Sequence, residues 1–227
     1  MAGFINHRFC DRPRYNVPFN PIVRTNEPRP LRPPYLWERQ LRSAERIGPE
    51  PEDLVAYREC HPDIKHPLMP DFISIGFLPV VSEAFRRIVL ELEPDKHQFL
   101  PVALFDEAKQ PLSGRYWLMN VLQVRDAGIK ADSIHRWHAM GHRIPELAAY
   151  SSVREDGSLG LRVAHFLNKA AIEGLHLWRP ASPLSYAAGH DLYMSDLLLE
   201  RIRRAKLRRL RVEPAAEISV DPRWEKA

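Results

Sequence analysis

Cysteine is nearly missing from this chain: Cys10 and Cys60 stand alone in 227 residues. Two are too few for a disulfide framework, and their spacing matches no zinc-binding pattern. A reduced cytoplasm is therefore the expected compartment. Long apolar runs are absent too, none approaching the roughly 20 residues of a membrane span. The opening Met1-Ala-Gly-Phe-Ile-Asn-His-Arg8 lacks a charged segment followed by an apolar core, so no secretion signal is expected. There is no Gly-rich phosphate loop, no Gly-x-Ser-x-Gly elbow and no His-Glu-x-x-His. Nothing in this inventory signals an enzyme, a cofactor or a membrane partner.

Charge and proline are present, and both are unevenly spread. The net charge of +4 hides an acidic body between two basic segments. Residues 1–46 carry nine Lys/Arg against four acids, and residues 201–211 carry seven and no acid. The body from 47 to 200 has 15 against 21. Such a distribution bears on partners more than the isoelectric point does. Seven prolines fall within residues 1–34. Proline fixes φ and removes an amide donor, so this segment is expected to be an extended arm, neither long helix nor central strand. Its aromatics favour an arm laid along the body.

One pattern occurs twice. Val80-Val-Ser-Glu-Ala-Phe-Arg-Arg-Ile-Val-Leu-Glu-Leu92 reads as an apolar pair, a serine cap, an acid and an amphipathic helix. Ser82 is the cap, and Phe85, Ile88, Val89 and Leu92 share a face. A strand, Phe99–Phe105, follows. Tyr193-Met-Ser-Asp-Leu-Leu-Leu-Glu-Arg-Ile202 repeats it, with Ser195 as cap, Asp196 at the positive end of the helix dipole, and Leu198, Ile202 and Ala205 in line. There a strand is expected over 207–212, ended by Pro214. The repetition suggests a duplicated unit.

Between these landmarks, helices are expected over Tyr35–Ile47, from Pro51 to about Cys60, over Ser133–His142 and over Ala164–Glu173. Strands are expected at 72–75, 77–81, 98–105 and 115–124, the last two an antiparallel pair around a long polar loop. Tyr150–Val153 and Leu159–Val163 flank Asp156-Gly157, a hairpin turn, and Leu175–Arg179 alternates as a further strand.

The chemistry-bearing residues are few. His135, His138 and His142 at i, i+3 and i+7 share a helix face and form a weak metal candidate, with only Glu146 nearby. Ser82 and Ser195 are better explained as caps than as nucleophiles. The basic run from Arg201 to Arg211 could be a solvated face, a docking surface for an acidic protein, or a phosphate-binding strip. Lacking aromatics, it makes a poor single-strand stacking platform.

The order of several segments carries a resemblance. Pro79-Val-Val-Ser-Glu83, Gln98-Phe-Leu-Pro-Val102, Tyr116-Trp-Leu-Met-Asn120, an Asp-x5-Asp-Ser run ending at Ser133, Leu177-Trp-Arg179, Met194-Ser-Asp-Leu-Leu198 and Leu210-Arg-Val-Glu-Pro214 resemble the eleventh catalogued class of bacterial polymorphic-toxin immunity proteins. The likeness covers about residues 70–214. It implies a non-enzymatic antitoxin, without cofactor, that binds a cognate toxin in the cytoplasm. Ser82, Phe99, Pro101, Tyr116, Ser195 and Asp196 would be scaffold. Tight neutralisation calls for a few aromatic or arginine anchors, and Trp37, Trp137, Arg201, Arg204 and Arg208 are the candidates. A homodimer stays open, and the alternative function is nucleic-acid binding through 201–211. The expected fold is α+β: two helix-on-antiparallel-sheet units in one domain. Residues 1–69 would form the arm and short helices, 70–214 the body and 215–227 a tail.

Overall fold

A computed structural model describes residues 2–5, 23–24, 41, 43–48, 54–58, 69–75, 78–149, 151–161, 165–181, 192–208, 210 and 212–224. In chain order its strands are β1 (Ala2–Ile5), β2 (Val23–Arg24), β3 (Leu54–Tyr57), β4 (Phe72–Ile75), β5 (Leu78–Ser82), β6 (Gln98–Phe105), β7 (Tyr116–Asn120) and β8 (Val124–Arg125). Then come β9 (Gly128–Ile129), β10 (Ser151–Val153), β11 (Leu159–Leu161), β12 (Phe166–Asn168), β13 (Leu177–Pro180), β14 (Leu192–Met194) and β15 (Glu213–Ile218). The α-helices among the described residues are α1 (Glu83–Leu92), α2 (Ala131–Ala139) and α3 (Asp196–Arg204). The fold is α+β.

The strands form two large mixed sheets and a hairpin. One sheet runs β2-β3-β6-β7-β5-β4, the other β8-β13-β14-β1-β15-β12-β9. Aligned on their helices, the two have the same wiring. β3 lies parallel to β6, as β12 does to β15. The remaining matched pairs are antiparallel: β2–β3 with β9–β12, β6–β7 with β15–β1, β7–β5 with β1–β14, and β5–β4 with β14–β13.

The register agrees to the residue. Pro101 faces Trp117, Trp117 faces Val81 and Val81 faces Phe72. In the second sheet Pro214 faces Gly3, Gly3 faces Met194 and Met194 faces Leu177. Nineteen positions separate Ser82 from Pro101, and nineteen separate Ser195 from Pro214. The repeated pattern is thus a duplicated fold. One strand breaks the sequence order: β7 follows β6 directly, whereas its counterpart beside β15 is β1, from the far end of the chain.

Helices α1 and α3 form for the reasons legible in their residues. Ser82 and Ser195 are extended, and each hydroxyl accepts an amide three residues on, from Phe85 at 3.3 Å and Leu198 at 3.2 Å. Phe85 and Val89 on α1, and Leu198, Leu199 and Ile202 on α3, enter one shared core with Phe72, Val81, Met119, Leu177 and Met194. Each such side chain contributes about 1.5–3 kcal/mol as an upper estimate, so this core welds the units. Beyond the first sheet a second cluster gathers Ile73, Ile75, Val80, Leu100 and Leu118. Beyond the second, α2 lays Ile134 and Trp137 against Phe166, Ala216 and Ile218.

Several expectations need correction. The helix expected from Pro51 is, at Leu54–Tyr57, a strand, because Leu54, Val55 and Ala56 are buried beside β6. The helix over Ala164–Glu173 is β12 followed by a 3-10 turn, Lys169–Ile172, whose Asn168 side chain caps Ala170. The strand expected over 207–212 lies at β15 instead, running through Pro214 and Ala215–Ile218. The Tyr35–Ile47 helix cannot reach Ile47, since Ala44 has φ 55 and residues 43–48 are turn and coil. Ala2–Ile5 is a central strand, lying ahead of Pro13 and so outside the reach of the proline argument. Most of the rest of the Pro-rich arm lies outside the described residues. The expected hairpin is present as β10–β11, turned at Gly157 with φ 80.

Candidate functional site

The duplication places two equivalent clefts on the molecule, each at the start of a helix. The first, of about 870 Å³, is lined by Arg58, Asp71, Ser82, Glu83, Asp106, Arg115, Tyr116, Lys206 and Arg208, among others. The second, of about 580 Å³, is lined by Lys169, Glu173, His176, Trp178, Ser195, Asp196, Glu217 and Ser219, among others. Register makes Asp71, just before β4, the counterpart of His176, just before β13.

In both clefts the cap serine is held from outside its helix. Ser82 Oγ donates to Asp71 Oδ1 at 2.5 Å, and Ser195 Oγ lies 2.9 Å from His176 Nδ1. A serine beside a histidine invites a nucleophile–base reading. The matched position argues otherwise, because the same hydroxyl meets a carboxylate in the first unit while capping a helix in the same way. What the two clefts share is a clasp on the cap.

The same residues tie the units together. Asp71 Oδ2 accepts the Arg208 amide at 2.6 Å, and the Asp71 amide donates to the Arg208 carbonyl at 3.2 Å. Across the molecule, Glu93 follows α1 and accepts the amides of His176 at 2.9 Å and Leu177 at 3.0 Å. Its Oε2 also meets His97 Nε2 at 2.8 Å, in a buried hydrogen bond. Burial alone would raise the Glu93 carboxyl, but the His97 hydrogen bond and these two amides outweigh it and hold the group below the usual range. Tyr116, in the first cleft, donates to the Pro70 carbonyl at 3.1 Å; burial, and secondarily Asp71, push its phenol up to about 12.

The charges of the first cleft divide into committed and uncommitted groups. Asp71 is bound as above. Glu83 pairs with Arg86 at 3.2 Å and Arg87 at 3.1 Å. Asp106 accepts the amides of Ala108 at 2.9 Å and Gln110 at 2.7 Å, and Arg58 pairs with Glu107 at 2.6 Å. Arg115, Lys206 and Arg208 are exposed. Their side chains form no hydrogen bond or ion pair within the described residues.

The residues singled out from sequence are dispersed. Trp37 lies outside the described residues. Trp137 is 3% exposed and packs in the core beneath α2, tilted on Trp224 at 5.2 Å, so it presents no surface to a partner. Arg201 pairs with Glu91 at 2.8 Å, bridging α3 to α1, and Arg204 pairs with Glu200 at 2.5 Å. Of the four that are described, Arg208 lines the first of these two clefts and the other three line neither. His135 and His138 face solvent, while His142 stacks on Trp224 at 5.2 Å. No group of three or more His, Cys, Asp or Glu that could hold a metal gathers among the described residues. Lys206 lies within the basic run singled out from sequence, but Arg115 escaped that reading, since it looks like an ordinary surface cation until the loop 106–115 and the end of α3 are brought together.

The site geometry of this duplicated α+β scaffold is thus a pair of clefts, each with its cap serine clasped from outside the helix. Among known families, the chain matches the immunity protein family Imm11 over residues 11–217. The chain belongs to that family, whose members are immunity proteins directed against toxins. No curated protein matches it significantly. Among the described residues no helix is long and apolar enough to cross a membrane.

Proposed function

We propose that this protein is an antitoxin that binds the toxin domain of a secreted effector encoded beside it and neutralises it by stoichiometric contact in the cytoplasm. Membership of the immunity family over residues 11–217 carries this reading. The chemistry of the clefts supports it: the hydroxyls and most of the acids are engaged in holding caps, loops and the unit interface, leaving them poorly placed for turnover. A polymorphic toxin system is the corresponding context. The protein acts without a cofactor and transforms nothing.

The test is co-expression of the neighbouring toxin with and without this protein, together with co-purification of the pair. Protection with a stable one-to-one complex is expected. If the toxin still kills and no complex forms, the reading fails. It fails equally if protection persists at a small fraction of the toxin's concentration, because that would mean turnover. Nanomolar affinity corresponds to about 12 kcal/mol, within reach of a few desolvated anchors.

A further inference from the structure

The duplicated fold supplies its own internal control for recognition. Features common to both clefts, the cap serine and its external clasp, are what the fold requires. Features that differ at matched places are free of that requirement. Charge is what differs most. The first cleft is lined by Arg58, Arg115, Lys206 and Arg208 against Asp71, Glu83 and Asp106, and the second by Lys169 against Glu173, Asp196 and Glu217. Arg58 and Lys169 hold matched places, as do Glu83 and Asp196, so the surplus of the first cleft is Arg115, Lys206 and Arg208. In the first, every acid is engaged internally, by Ser82 and the Arg208 amide, by Arg86 and Arg87, or by loop amides. Three cations are left pointing outward with no described partner. Lys206 is moreover held in a left-handed conformation, φ 54, where the end of α3 turns back toward β4.

We infer that the first cleft is the toxin-docking surface, and that Arg115, Lys206 and Arg208 receive a carboxylate-rich segment of the toxin. This rests on the antitoxin reading and names the place and chemistry of the contact. The three cations come from two different segments, the loop before β7 and the turn after α3. The cleft therefore exists only in the folded protein and presents a fixed spacing of charge. An acidic segment entering it meets cations already stripped of internal competitors, which favours fast, salt-sensitive association. Phosphates of a nucleic acid share the negative charge. The three exposed cations line one bounded cleft and no extended strip, which suits a short acidic peptide segment better than a continuous phosphate backbone.

The experiment measures binding of the purified toxin domain to the full chain, to the triple variant Arg115→Glu/Lys206→Glu/Arg208→Glu, and to Glu173→Lys in the opposite cleft. The triple variant is expected to bind about a hundredfold more weakly, mostly through slower association, and wild-type association to slow steeply as salt rises. Glu173→Lys is expected to bind like wild type. Should the triple variant lose its thermal transition, Arg115→Glu alone is read instead, with about a tenfold loss expected. Binding within threefold of wild type by the charge-reversed variants overturns the inference while leaving the antitoxin reading intact. So does an equal loss in Glu173→Lys. A toxin that remains bound while these substitutions abolish binding to a duplex DNA or RNA probe also overturns it, by assigning the cleft to nucleic acid. No complex with the wild-type chain removes both readings at once.

Discussion

Glu93 shows how a single carboxylate can join two halves of a molecule. It is 5% exposed, yet its oxygens meet His97 Nε2 and the amides that open β13 in the other unit. A charged acceptor with three partners is worth more than a neutral one, and deleting its charge leaves those partners poorly satisfied. Glu93→Gln is expected to cost about 2 kcal/mol at pH 7, read as a lower urea midpoint. The sign of the pH dependence follows from the direction of the shift. Because folding holds this carboxyl below its ordinary value of 4.5, its stabilisation is complete above that pH and is lost as pH falls through the folded value. The gap between wild type and Glu93→Gln in urea unfolding should therefore be wide at pH 7 and narrow as pH falls below 4.5. A gap that stays constant would show that charge at Glu93 does not link the units.

The two helices carry the same cap with different clasps, which makes them a matched pair for measurement. Removing either hydroxyl unbinds one orphan amide, a loss of about 1 kcal/mol. Ser82→Ala also takes a donor from Asp71, a carboxylate held in a part-buried network with the Arg208 amide. Ser195→Ala deprives only a half-buried imidazole, which can turn to water. Thermal unfolding should thus show Ser82→Ala as the more destabilising, at about 2 kcal/mol against about 1; equal losses would mean that Asp71 contributes nothing through the cap. These elements were readable in the residues because cap, acid and apolar face lie within one short window. Leu54–Tyr57 was misread because a short buried apolar run has no period of its own. Its strand identity comes from β6, far along the chain. Pro214 was misread as a strand end by the rule that keeps proline out of sheet interiors. Pro101 and Pro214 break that rule at the same register position in both sheets. The cleft that gathers Arg115 with Lys206 and Arg208 of the basic run was not legible for a related reason: Arg208 reaches Asp71 across 137 positions of sequence, and no local pattern encodes that.

At the scale of the whole molecule, the two units differ in how their fourth strand arrives. In the first, β6 turns through the loop 106–115 into β7. In the second, the place beside β15 is filled by β1, whose partners are β14 and β15 on either side. Strand pairing depends on hydrogen-bonding geometry and register, and it is indifferent to whether the strand is joined at one end or the other. Deleting residues 1–5 opens a slot in the middle of a seven-stranded sheet and leaves two strands with unpaired edges, a template for aggregation. That variant is expected to lose its cooperative thermal transition or precipitate. Returning the same five residues after Ala227, through a flexible linker of about eight, reproduces the order of the first unit at a modest closure cost, since that cost grows only slowly with linker length. The permuted chain should recover a single cooperative transition within about 5 °C of the native chain. Recovery would establish that two equivalent units, each complete in its strands, account for the fold. If the permuted chain stays as disordered as the deletion, the linkage of β1 to the residues that follow it contributes something the symmetry does not contain.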